Sequence, residues 1–146
     1  MTPHSRCILP VVFFGAFLAG CRSAPDPSPN ARDYPAQVNR NPTTLDIQVA
    51  RSGRHASMTN TTAREFGPST VWINRWYSLP IDSFRIGETV TLPLFEFVDM
   101  YSYTFRAGGF FATENPDTIV SCELESAAPG EPATMYPLVV VKGSYD

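Results

Sequence analysis

The chain has 146 residues, 43% of them hydrophobic and 17% charged, which is one ordinary domain with enough apolar matter for a core. A formal charge of −3 and a pI near 5.3 exclude a nucleic-acid footprint, which needs clustered Lys and Arg. Lys142 is the only lysine, and the arginines from Arg51 to Arg106 are scattered singly.

The N-terminus reads as an address. Arg6 and the amino group give a positive start. Ile8 to Leu18 is apolar apart from Pro10, and the small residues Ala19 and Gly20 follow. This is the layout of a secretory signal, and the run is shorter than the ~20 residues a membrane helix needs. Leu18-Ala19-Gly20-Cys21 resembles the lipobox of bacterial lipoproteins. The resemblance covers only the first 21 residues. It implies that residues 1–20 are removed and that Cys21, as first residue of the mature chain, carries a diacylglyceryl thioether and an N-acyl group. Two or three acyl chains anchor stably where one holds only marginally. Residue 22 is Arg rather than Asp, which by the same resemblance favours the outer membrane over the inner. The membrane is thus the first expected partner.

Residues 21–43 contain Pro25, Pro27, Pro29, Pro35 and Pro42, with Tyr34 and Val38 the only large apolar side chains. Such a segment buries too little to offset its ordering entropy, so it is expected to be an extended, mobile tether. At ~3.1 Å per residue in the polyproline form it would reach at most about 70 Å. An irregular arm packed near Tyr34 and Val38 is the alternative.

A β-domain is expected over residues 44–146. Leu45, Ile47 and Val49 alternate with polar neighbours, as in a half-buried strand. Residues 51–54 make a turn, and HASMTNT a second strand with Ala56 and Met58 inward. STVWIN reads as a strand from Ser69, and Ile81 to Ile86 as a short one. In TVTLPLFEFVD the apolar phase slips by one beside Pro93, which suggests a β-bulge. YSYTF reads as a strand, Gly108-Gly109 as a turn and FFAT as the start of a return strand. Thr118 to Glu125 is the clearest strand, and the apolar Leu138 to Val141 reads as a central one. Short strands between turn signals give an all-β fold. An immunoglobulin-like β-sandwich is the first choice and a small β-barrel the alternative.

Candidate chemistry is sparse. Beyond Cys21, the cysteines are Cys7, in the part to be removed, and Cys122, whose strand neighbours place it in the core. His55 is the one histidine of the mature chain and reads as a surface residue beside a turn. A zinc site needs three or four ligands, so no metal or other cofactor is expected. Glu114 with Asp117, and Glu96 with Asp99, bracket turns. As carboxylate pairs they raise glycoside hydrolysis, but acids at turns are mostly solvated or bonded to backbone. Asn60-Thr61-Thr62 fits a glycosylation sequon and carries no weight in a bacterial lipoprotein. Trp72 and Trp76 are the candidate ligand-binding residues: facing outward from one strand face they would stack on a sugar or peptide, and packed inward they would be core. The expected function is therefore a lipid-anchored, non-enzymatic cell-envelope protein that binds or organises another envelope protein or glycan. A carbohydrate- or peptide-binding module using the tryptophans is the alternative, and a small hydrolase ranks last.

Overall fold

A computed structural model describes residues 27–142. The expected signal, Cys21 and the first residues of the tether lie outside the described residues.

The described chain is all-β, with strands β1 (Asn39–Arg40), β2 (Leu45–Ser52), β3 (His55–Thr59), β4 (Ser69–Ile73), β5 (Tyr77–Ile81), β6 (Thr89–Pro93), β7 (Cys122–Ser126) and β8 (Thr134–Val141). All eight belong to one hydrogen-bonded sheet in the order β5-β4-β7-β8-β2-β3-β6, with β1 also paired to β8. The immunoglobulin-like sandwich is not confirmed by this bonding. The sheet is curled into a half-barrel, which the small-barrel alternative fits loosely.

Period-two patterning explains most strands. Ile47 and Val49 of β2 face the core with Ala56 and Met58 of β3, across a two-residue loop in which Gly53 supplies a φ of 57°. β8 is central, as its apolar run suggests. Its neighbour is β7 on one side; on the other, β1 pairs at Thr134–Met135 and β2 from Leu138 onward. Pro137, which has no N–H to give, lies between those two pairings. Pro80 sits on β5, an edge strand, where a missing donor is tolerated.

Four expectations are corrected. The strand expected at Ile81 to Ile86 lies earlier, at Tyr77–Ile81, because the turn before it is tight: Asn74 and Arg75 both have positive φ, and Trp76 N–H bonds Ile73 O at 3.0 Å. The phase slip beside Pro93 is a 3-10 turn, Leu94–Glu96, rather than a bulge. It carries the chain from the β6 edge to the opposite one, where Val98 and Ser78 exchange backbone hydrogen bonds of 2.8 and 3.2 Å. Of the strands expected in YSYTF and FFAT, only an isolated bridge at Thr104 remains. The strand expected from Thr118 begins at Cys122.

The concave face is filled by one core. Ile47, Val71, Ile73 and Leu124 from the strands meet Phe84, Leu94, Phe97 and Phe105, which plug the open side of the curl. Each such side chain contributes about 1.5–3 kcal/mol by leaving water. At the end of the sheet that holds the β3–β4 and β5–β6 connections, buried Asn60 donates to Arg64 O and Phe84 O, fastening the two together. That is a structural use of the sequon asparagine.

The outer face is covered too, by residues 28–41, which lie on the sheet as in the packed-arm alternative near Tyr34. Ser28 N–H bonds Ser102 Oγ at 2.8 Å, and Ser78 Oγ–H bonds Asn30 O at 3.0 Å. Arg32 reaches Thr70 and Glu125, and Asn41 N–H bonds Met135 O. The Tyr34 ring stands edge-on to Trp72, 5.2 Å between centroids. This strap is held by polar and ring contacts, which a count of aliphatic residues does not register. Replacing Tyr34 by Ala should loosen it. In limited trypsin digestion, cleavage after Arg32 and Arg40 should then be at least several-fold faster than in the wild type, while the sheet stays protected.

Candidate functional site

The two tryptophans occupy different surroundings. Trp72 lies on the outer face of β4, paired with Glu123 of β7 and Ser78 of β5, while its neighbours Val71 and Ile73 face the core. It is fully buried at 0% exposure, because the strap lies over it. Tyr34 covers one side, and the Arg32 guanidinium lies 5.4 Å from the ring centroid. Its Nε1–H donates to Glu125 Oε2 at 2.8 Å. No ligand can stack on a ring so covered.

Beside Trp72, the Glu123 carboxylate is nearly buried and well satisfied. Tyr34 Oη–H and Arg40 Nη1–H donate to it, the latter at 3.0 Å, and Arg75 Nη2 lies 3.5 Å away. Burial and the bond to Glu123 raise the Tyr34 pKa above its usual value, with the Arg40 bond opposing, so the phenol stays protonated.

Trp76 is 49% exposed. Its Nε1–H donates to Asp99 Oδ2 at 3.2 Å. Asp99, expected as a turn acid either solvated or bonded to backbone, is buried and bonds backbone: its Oδ1 accepts the N–H groups of Tyr101 at 2.9 Å and Tyr103 at 2.8 Å. A carboxylate with those donors holds residues 99–103 in a tight loop, with Ser102 at a φ of 68°. Met100, Tyr101 and Tyr103 project from that loop into solvent beside Trp76. A shallow groove of about 300 Å³ runs alongside, lined by Arg32, Asp33, Tyr34, Arg75, Trp76 and Met100. Apolar rings beside separate charged groups form a surface suited to recognition. Sequence reasoning found Trp76 but missed Met100, Tyr101 and Tyr103, which it placed on or beside a strand. The aspartate before three closely spaced large apolar residues was the available signal.

The other candidates are committed elsewhere. Cys122 is buried, and burial pushes its thiol up to about 12. His55 is exposed at the start of β3. Glu96 is exposed while Asp99 is buried, so that pair divides between solvent and structure. Glu114 and Asp117 are brought together, but on Arg106: its Nη1–H reaches Glu114 at 2.9 Å, and its Nε–H and Nη2–H reach Asp117 Oδ1 at 2.9 and 2.6 Å. Among the described residues no cluster of three or more His, Cys, Asp and Glu side chains is placed to hold a metal ion. Cys21 lies outside the described residues. No protein-family model matches the chain, and no curated protein and no solved structure matches it.

The tryptophans separate in a stability measurement. Trp72→Ala should cost about 3–5 kcal/mol, the range for a large buried side chain, and Trp76→Ala less than about 1 kcal/mol as a surface change, both read from urea midpoints. Asp117 gives a pH signature. Burial alone would raise its pKa, but hydrogen bonds from the Arg106 side chain and N–H outweigh it, and the folded pKa is lowered from 3.8. Its stabilisation is therefore present above about pH 4 and lost as pH falls through the lowered value. Asp117→Asn should cost about 1 kcal/mol at neutral pH, and urea titrations of the two proteins should draw together as the pH falls through the lowered value.

Proposed function

We propose that the chain is a lipid-anchored protein of the bacterial cell envelope, with the outer membrane favoured, whose β-domain works by binding rather than by catalysis. The anchor is Cys21, on the strength of the lipobox and its apolar run. The recognition surface is the corner of Trp76, Met100, Tyr101 and Tyr103. One observation carries that assignment: a buried carboxylate, Asp99, spends its hydrogen-bonding capacity on presenting exposed apolar side chains to solvent. Folding gains little from three exposed side chains, whereas a binder gains rigidity before contact. The partner is another envelope component, either a protein or a glycan whose sugar faces stack on the rings. In this reading Trp76 is the tryptophan open to a partner, since Trp72 is buried. A carboxylate hydrolase is disfavoured because Glu114 and Asp117 share one guanidinium.

The test separates anchor from partner. Cells expressing Cys21→Ser should lose acyl labelling and release the chain from membranes; labelling that persists removes the anchor. Cross-linked envelope partners of the anchored wild type should diminish about ten-fold or more in Trp76→Ala/Tyr101→Ala, the loss of roughly 1–2 kcal/mol expected on removing two aromatic anchors. Equal capture by that variant, with its urea midpoint unchanged, removes the corner.

A further inference from the structure

A second aromatic feature lies apart from the Trp76 corner. Residues 107–116 form a loop whose base is closed by Arg106 and Asp117. Arg106 N–H donates to Asp117 Oδ2 at 3.0 Å, and Asp117 N–H donates to Arg106 O at 2.9 Å. Arg51 braces the same base, donating to Asp117 O and, at 2.9 Å, to Ala107 O. Above this clamp, Gly108 and Gly109 have φ values of 74° and 148°, and Ala112 N–H bonds Gly109 O at 3.0 Å. That turn puts Phe110 and Phe111 at its apex. They are 95% and 89% exposed and stand edge to face, 4.9 Å between ring centroids. A rigid base under two adjacent bare phenyl rings is a wedge rather than a core remnant.

Its place in the half-barrel matters. The β2–β3 turn, the β4–β5 turn, the start of β7 and the end of β8 all lie at one end of the sheet, as the strand pairings require. The loop from residue 99 to 121 caps that end, and Gly109 approaches Arg54 of the β2–β3 turn. Ser28, where the strap begins, is bonded to Ser102 at the same end. Cys21 lies seven positions before Ser28, a reach of at most about 25 Å for a fully extended chain. The strap therefore begins at the end of the domain that carries the phenylalanine tip.

We propose that the Phe110-Phe111 tip enters the lipid surface to which Cys21 is anchored, as a second, non-covalent contact that orients the domain on the bilayer. The inference rests on the lipid-anchor reading. Aromatic rings settle at the boundary between headgroups and acyl chains, and Arg54, stacked on the half-exposed Phe95, brings a cation beside the loop for lipid phosphates. The Trp76 corner, at the same end, then meets its partner at the membrane surface.

The experiment uses the acylated full chain in vesicles of phosphatidylethanolamine and phosphatidylglycerol. Ala112→Cys carries a polarity-sensitive fluorophore, with Glu131→Cys, in the β7–β8 connection at the far end, as control; buried Cys122 escapes labelling. The probe at 112 should shift to the blue and be quenched by nitroxide lipids, and the probe at 131 should not. Adding Phe110→Ser and Phe111→Ser should reduce that quenching at least several-fold while acylation keeps the chain on the vesicles. A probe at 112 that reads water on the vesicles, or quenching indifferent to the serines, overturns the proposal and leaves the anchor standing. A response in native envelope fragments but not in pure lipid assigns the tip to a protein or glycan and also overturns it. Should acyl labelling be absent, the anchor reading fails separately, and flotation of the Cys21→Ser chain with the same vesicles tests the tip. Its half-binding lipid concentration should then rise about ten-fold or more with the two serines, and no rise overturns the proposal.

Discussion

A single curled sheet has one concave face to fill and two edges to reconcile, and the rest of this structure follows from that constraint. Two packed sheets would each cover the other. Here the covering comes from connections. Leu94, Phe97 and Phe105 come from the stretch that leaves β6, and the exchanged bonds between Val98 and Ser78 bring that stretch to the far edge. The chain needs a long route between β6 and β7 to do this. That route then supplies both exposed aromatic loops, so closure of the core and display of the candidate surfaces use the same residues.

The convex face poses the opposite problem. Trp72 left bare would hold a large ring in water, covering it also buries the neighbouring Glu123 carboxylate, and neither joins the main core. The strap solves both at once. Tyr34 gives Trp72 an edge-on ring and gives Glu123 a hydroxyl, and Arg40 gives the same carboxylate a charge partner. A buried carboxylate without such partners would be strongly destabilising. The strap is therefore an integral layer of the domain, although its proline content resembles that of a linker.

Legibility in the sequence followed the range of the interactions involved. Leu45, Ile47 and Val49, then Ala56 and Met58, announced β2 and β3 because alternation is local. Leu138 to Val141 announced a central strand because an unbroken apolar run is local too. The strands expected in YSYTF and FFAT failed because β-forming aromatics were read as ladder residues, while a side chain, Asp99, had taken over the backbone donors of residues 101 and 103. Trp76 was legible as a candidate and Trp72 was not separable from it. What distinguishes them is Tyr34, 38 positions earlier in the chain, and no periodicity reports a partner at that distance. Glu114 and Asp117 looked like a pair and are one, but Arg106 between them makes it a clasp.

The strap also fixes how the domain bears mechanical load. For a chain held at Cys21, a pull arrives at Ser28 and meets contacts in series: Ser102, then Ser78, then Thr70 with Glu125, then Trp72 and Glu123. Each is a single polar or ring contact that yields alone, whereas the β2–β8 ladder behind them shears only as a unit. Tension would peel residues 28–38 before it reached the β1–β8 pairing, freeing a segment at most about 36 Å long at ~3.3 Å per residue. In a chain so held, the strap would act as a fuse that lengthens the connection and spares the fold.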